Sequence, residues 1–237
     1  MKKILSSLML LLCVTAVMAQ TYVPVSTLNE LKAAIQADHS AKIRLTDDID
    51  IRNLDAPLCS TFSGIIDGAS SVQVGDTTVT IMHKIYGGIT TTEMVVDPKD
   101  GKEKPKVTNR TRTTCSRLFD KLDHATLMNV QFANIHVEDD SYDEVGVIAR
   151  SAVNECYFIN VKMVYCDVFC DENRGGTMFG YAENSVFQLV STSFCDVKVN
   201  GREGGGLVGH SNSCKFEVCI VSFDTSVFVD GHNGMAT

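Results

Sequence analysis

The chain has 237 residues, with 21 Lys and Arg against 29 Asp and Glu, a net charge of −8 at pH 7 and 44% hydrophobic residues. The hydrophobic share is enough for a core, and the acidic balance repels nucleic acid and anionic lipid, so neither is expected as a partner. After residue 19 no run of 18 or more apolar residues occurs, so no span of the mature chain is expected to cross a membrane as a helix.

Met1 to Ala19 has the form of a secretory signal peptide. Lys2 and Lys3 give the charged start, Ile4 to Val17 the apolar stretch, and Val17-Met18-Ala19 the small-residue cleavage site before Gln20. Cleavage there leaves 19 basic against 29 acidic residues, a net charge of −10. It implies an exported protein, extracellular, on the cell surface or periplasmic. Eight cysteines stay in the mature chain: Cys59, Cys115, Cys156, Cys166, Cys170, Cys195, Cys214 and Cys219. Export permits disulfides, and spacing alone leaves their pairing open. Because these cysteines lie inside repeat columns, small buried hydrophobes are the expected role. Cys166-x-x-x-Cys170 lacks the second ligand pair of a zinc site.

Residues 20–42 form an N-terminal segment in which Thr27-Leu28-Asn29-Glu30 has the spacing of a capping box, and Leu28, Leu31, Ala34 and Ile35 share one helical face. A helix over Leu28 to Ala37 is predicted, able to cover the apolar end of a first coil. Short β runs follow at Ile43-Arg44-Leu45, Ile49-Asp50-Ile51, Gly64 to Gly68 and Val79 to Met82. A basic stretch at about 90–116 holds Lys99, Lys102, Lys104, Lys106, Arg110 and Arg112 around the turn signal Asp97-Pro98-Lys99-Asp100-Gly101. It reads as a hairpin projecting from an early coil, and positive charge on an acidic protein suits acidic glycans.

From Arg117 onward the chain repeats. At an offset of 29, Phe158, Phe187 and Phe216 coincide, as do Tyr165, Phe194 and Phe223, then Cys166 and Cys195, then Val168 and Val197; at 31, Leu127-Met128-Asn129-Val130 matches Phe158-Ile159-Asn160-Val161. A period of this size marks a solenoid of stacked units. A coil of that length divides into three short strands, which predicts an all-β, right-handed parallel β-helix over residues 43–237. The Leu-x-x-Leu-x-Leu spacing of leucine-rich repeats is missing. Asn129 and Asn160, at equivalent turn positions, are expected to adopt a left-handed conformation and bond to each other.

Gly205-Gly206-Leu207-Val208-Gly209 resembles the GLUG motif of secreted and surface bacterial β-helix proteins, with weaker copies at Gly176 to Gly180, Val145 to Ala149 and Arg117 to Asp120. Leu45 to Ile51 and Phe62 to Gly68 are similar to the opening coils of pectin-lyase-like β-helices. The resemblance implies an exported, adhesin-like surface protein and no shared active site.

Three sets of residues are candidates for chemistry. His136, Asp167, Asp196 and Thr225 are expected in one column, where adjacent carboxylates could serve glycoside cleavage, although an outward, solvated position explains the Asp residues equally well. The acidic turn containing Asp139, Asp140, Asp143 and Glu144 offers oxygen ligands to calcium, although its spacing fits no known loop. The hairpin cations offer a glycan or surface-protein contact. The Asn, His and Arg clusters of polygalacturonases are missing, and His210 reads as a turn residue. The expected function is therefore non-catalytic surface attachment or glycan contact without a cofactor. A carbohydrate-active enzyme on the same fold and a structural spacer are the alternatives. No cap follows Phe228, so self-association through the last coil is also expected.

Overall fold

Phe158 pairs in parallel register with Phe187, and Phe187 with Phe216; their rings lie 4.8 and 4.7 Å apart. The 29-residue offset is therefore the length of one turn. The chain winds into a parallel β-solenoid of about four turns, and its described residues are nearly all β with one helix. The structure, a computed structural model, describes residues 21–96, 98–99, 101–139, 143–222, 225–230 and 235–236; within strands, the side chains of residues 90, 92, 104–107, 110, 112, 235 and 236 fall outside the description. The signal-peptide reading and Phe223 lie outside the described residues.

Each turn contributes to the same stacked sheets. The largest runs from Val23–Val25 through Lys42–Leu45, Ile65–Asp67, Thr126–Ala133, Tyr157–Val164 and Val186–Gln188 to Lys215–Glu217. A second contains Ile135–Asp139, Asp167–Cys170, Asp196–Val199 and Ser226–Val229, and a third runs from Cys59–Phe62 through Phe119–Asp123, Ala149–Val153 and Phe179–Glu183 to Val208–Asn212. The short strands Glu144–Val145, Arg174–Gly176, Glu203–Gly205 and Met235–Ala236 make a fourth. Alternation sends Phe62, Phe119, Phe132, Phe158, Phe179 and Phe187 into one continuous core, all fully buried.

Single residues in the left-handed conformation turn the coil at three corners. His124, Asn154, Asn184 and Ser213 form one column, Asn129, Asn160, Leu189 and Val218 the second, and Asn134, Tyr165 and Phe194 the third, all with φ between 49° and 57°. Asn tolerates this conformation; Leu, Val, Tyr and Phe are strained by it, and the stacked coil holds them there. Glu155, at φ 63°, adds a residue to its corner and lengthens that turn to the 31-residue offset. The expected Asn ladder forms and extends further back: Asn160 Nδ2 donates to Asn129 Oδ1 (3.0 Å), Asn129 Nδ2 to Asp67 Oδ1 (3.1 Å), and Arg44 reaches Asp67 Oδ2 (3.1 Å).

Helix α1 (Leu28–Ala37) has the expected bounds, with Leu31 and Ile35 buried. Thr27 Oγ1 accepts from Glu30 N–H at 3.2 Å, while the Glu30 carboxylate accepts from Ser26 N–H at 2.7 Å, one residue before the capping-box partner. The helix stands between two paired rungs, because Val23–Val25 already pairs with Lys42–Leu45.

Two antiparallel hairpins leave the solenoid. Ala69–Val74 pairs with Thr77–Met82, so Val79 to Met82 is a hairpin arm instead of the coil strand its β-prone residues suggest; Gly75 at φ 61° supplies the turn. The basic hairpin is also present, formed by Gly88–Val96 and Glu103–Thr114. It ends sooner than residue 116: Thr113 and Thr114 rejoin the second sheet against Ile135 and His136, and Cys115 is buried. Replacing residues 91–109 with a short turn is therefore expected to shift the melting temperature by less than about 5 °C, since a surface loop adds little closure entropy. A circular-dichroism melt showing a much larger loss would mean that the hairpin holds the coils together.

Candidate functional site

The second sheet brings the expected polar column together. Thr114, His136, Asp167, Asp196 and Ser226 are in register on successive strands. Ser226 takes the place expected for Thr225, because the offset grows from 29 at Thr192 and Val221 to 30 at Asp196 and Ser226. The two carboxylates have unlike surroundings. Asp167, expected to be solvated, is only 4% exposed and lies 4.0 Å from His136 Nδ1, too far for a hydrogen bond. Asp196 is exposed, and its Oδ1 accepts from Ser226 Oγ at 2.6 Å. The column thus sets one buried carboxylate beside an imidazole and one exposed carboxylate bonded to a hydroxyl.

The acidic turn is divided among basic and amide partners. Asp139 pairs with Arg117, Asp143 accepts from Asn173 Nδ2 at 2.8 Å, and Glu144 lies 3.3 Å from Arg174; Asp140 is outside the described residues. Among the described residues no group of three or more His, Cys, Asp and Glu is placed to hold a metal ion. Arg174 also meets Glu203 at 3.1 Å in the next coil, and Glu203 lies 2.8 Å from His210 Nδ1. His210 is thus a strand residue of Val208–Asn212, with its ring stacked 5.7 Å from Tyr181, whose phenol burial pushes up. On the basic hairpin, Lys99 and Lys102 are exposed, and the side chains of Lys104, Lys106, Arg110 and Arg112 lie outside the described residues.

Two arrangements were not legible in the sequence. The first is a groove of ≈ 660 Å³ along the first corner, lined by His124, Asn154, Glu155, Asn184, Ser185, Val186, Ser213 and Lys215. These residues come from four successive coils, which at about 4.8 Å per coil spans about 14 Å. Apart from Val186, every lining side chain carries a hydrogen-bonding group. Two of the lining residues share Asp123 as a partner: it accepts from Asn154 Nδ2 (3.1 Å) and lies 2.7 Å from His124 Nδ1, and these bonds lower the Asp123 carboxyl. The recurrence of small polar residues at one corner was the available signal, and it is indistinguishable from ordinary turn composition.

The second joins Ser70, His83 and Asp48. Ser70 Oγ is 2.6 Å from His83 Nε2, and His83 Nδ1 is 3.7 Å from Asp48 Oδ1. Asp48 Oδ1 also accepts from Lys84 N–H, and the amides of Ala69 and His83 are bound to Asp67 Oδ1 and Gly68 O. The loose His–Asp contact and the bound neighbouring amides fit a polar bolt that ties the base of the first hairpin to the coil. They fit a nucleophile less well, since it would need a tight orienter and open oxyanion donors.

Among the described residues all eight cysteines are free thiols. Burial pushes Cys59, Cys115 and Cys156 up to about 11 and Cys166 well above its usual range. At pH 8 iodoacetamide is expected to alkylate these thiols about a hundredfold more slowly in the folded protein than after unfolding, as read by mass spectrometry. The raised values also mean that this contribution to stability is complete below about pH 9 and is lost as pH rises toward 11.

Searched against protein-family models and against curated proteins, the chain has no match.

Proposed function

We propose that this protein is an exported, non-catalytic β-solenoid of the GLUG-like surface type that holds glycan along its lateral face. The observation that carries this reading is the polar corner groove, lined across four coils by Asn154, Asn184, Ser213, Glu155, His124 and Lys215. Amides, a hydroxyl, a carboxylate and an ammonium match the hydroxyl-rich surface of a sugar, and the lack of a predominantly apolar lining argues against a lipid or drug-like ligand. A groove of about 14 Å suits a short oligosaccharide lying along the solenoid axis. The secretory leader read at Met1 to Ala19 agrees with a place where glycans are met.

A glycan array on the purified chain tests this. Binding without turnover is expected, weakened about fivefold or more by Asn184→Ala or Glu155→Ala, each of which removes a hydrogen-bonding group. Release of reducing ends or unsaturated products would instead establish a carbohydrate-active enzyme. No binding and no turnover would leave a structural spacer.

A further inference from the structure

The two ends of the solenoid differ. Helix α1 lays the fully buried Leu31 and Ile35 over the first coil, whereas Phe216 (43% exposed), Val218 (69%), Ile220 (59%) and Val221 (49%) are open on the last. Among the described residues, Lys215–Glu217 is the edge strand of the largest sheet. Its inner side is occupied: Lys215 N–H donates to Ser185 O, and Glu217 O accepts from Leu189 N–H, both at 2.9 Å. Successive residues of a strand turn their N–H and C=O to opposite sides, so Phe216 presents both groups to the open edge.

Such a residue can sit at the centre of a two-bond antiparallel pair, and this strand matches itself there. A second copy related by a two-fold axis at Phe216 sets Phe216 opposite Phe216, Lys215 opposite Glu217 and Glu217 opposite Lys215. The charges complement each other on both sides of the axis. On the inner face the paired rings continue the Phe158, Phe187 and Phe216 ladder, already spaced at 4.8 and 4.7 Å. We propose that this edge binds a second copy of the chain and forms a closed antiparallel dimer. The opposite edge of this sheet is Val23–Val25, where Val25 O is already bound by Thr46 N–H and the outward residue is Pro24, which has no N–H to donate; head-to-tail growth is therefore disfavoured and the assembly stops at two.

Sedimentation of the purified chain without glycan tests this, and keeps the outcome separate from the groove that Lys215 also lines. A dimer is expected at tens of micromolar. Lys215→Glu places like charges opposite each other twice and is expected to weaken the dimer about tenfold or more. The reciprocal Glu217→Lys should do the same, which guards against one variant failing to fold. Lys215→Glu combined with Glu217→Lys restores the pairing and is expected to return the affinity to within about threefold of the original. A monomer at these concentrations, a double variant no tighter than the single ones, or an open series of larger oligomers would overturn the proposal.

Discussion

Phe158→Ala is expected to destabilise the solenoid by about 3–5 kcal/mol, the range for removing a large aromatic side chain from a packed core. Phe158 is fully buried, with ring centroids 4.7 Å from Phe179 and 4.8 Å from Phe187, so one substitution opens a cavity shared by two sheets and two coils. In a domain of this length such a loss lowers the melting temperature by about 10 °C. Coils contact only their neighbours, so the loss is expected first around Tyr157–Val164, visible as faster hydrogen exchange there than in Lys42–Leu45. Phe228→Ala provides the control. Phe228 is 55% exposed on the last coil, and its loss is expected to cost under about 1 kcal/mol.

Gly176→Ala is expected to be as damaging, although it adds a single methyl group. A Cβ at Gly176 would lie 2.3 Å from Phe179 O, 2.6 Å from Gly209 N and 2.8 Å from Val208 C, all of them backbone atoms of its own or the next coil. No side-chain rotation relieves such contacts, so the coils must separate, at a cost of about 3 kcal/mol or more. Gly75→Ala separates this steric effect from backbone strain. Nothing lies within 4 Å of a Cβ at Gly75, and its φ of 61° alone should cost about 1 kcal/mol. Thermal or denaturant unfolding of the two variants checks the order; equal losses would show that contact between coils is not what the motif glycines serve.

The repeated Gly tetrads could serve either tight turns or the close approach of coils, and the structure decides for the second: the positive-φ corners belong to Asn, His, Ser, Tyr, Phe, Leu and Val, whereas backbone atoms of the next coil press on Gly146 and Gly176. Composition cannot separate these causes, since glycine satisfies both.

The sequence by itself determined the turn length, the core columns, the helix and the basic hairpin. Each depends on a period along the chain: 29 residues between stacked phenylalanines, 3.6 along Leu28 to Ala37, two along the strands. In-register parallel stacking converts such a period directly into neighbours in space, which is why Phe158, Phe187 and Phe216 could be placed one above another. Tertiary structure alone decided what lies between columns. It buried Asp167 while leaving Asp196 exposed, although both precede a core valine. It gathered His124, Asn154, Asn184 and Lys215 into one groove and brought Ser70 to His83 across a hairpin. Among the described residues it also turned the N–H and C=O of Phe216 to the edge of the sheet. The reason is that lateral packing, insertions such as Glu155 and the hydrogen-bond polarity of an edge depend on how whole coils sit against one another, which no single-chain period encodes.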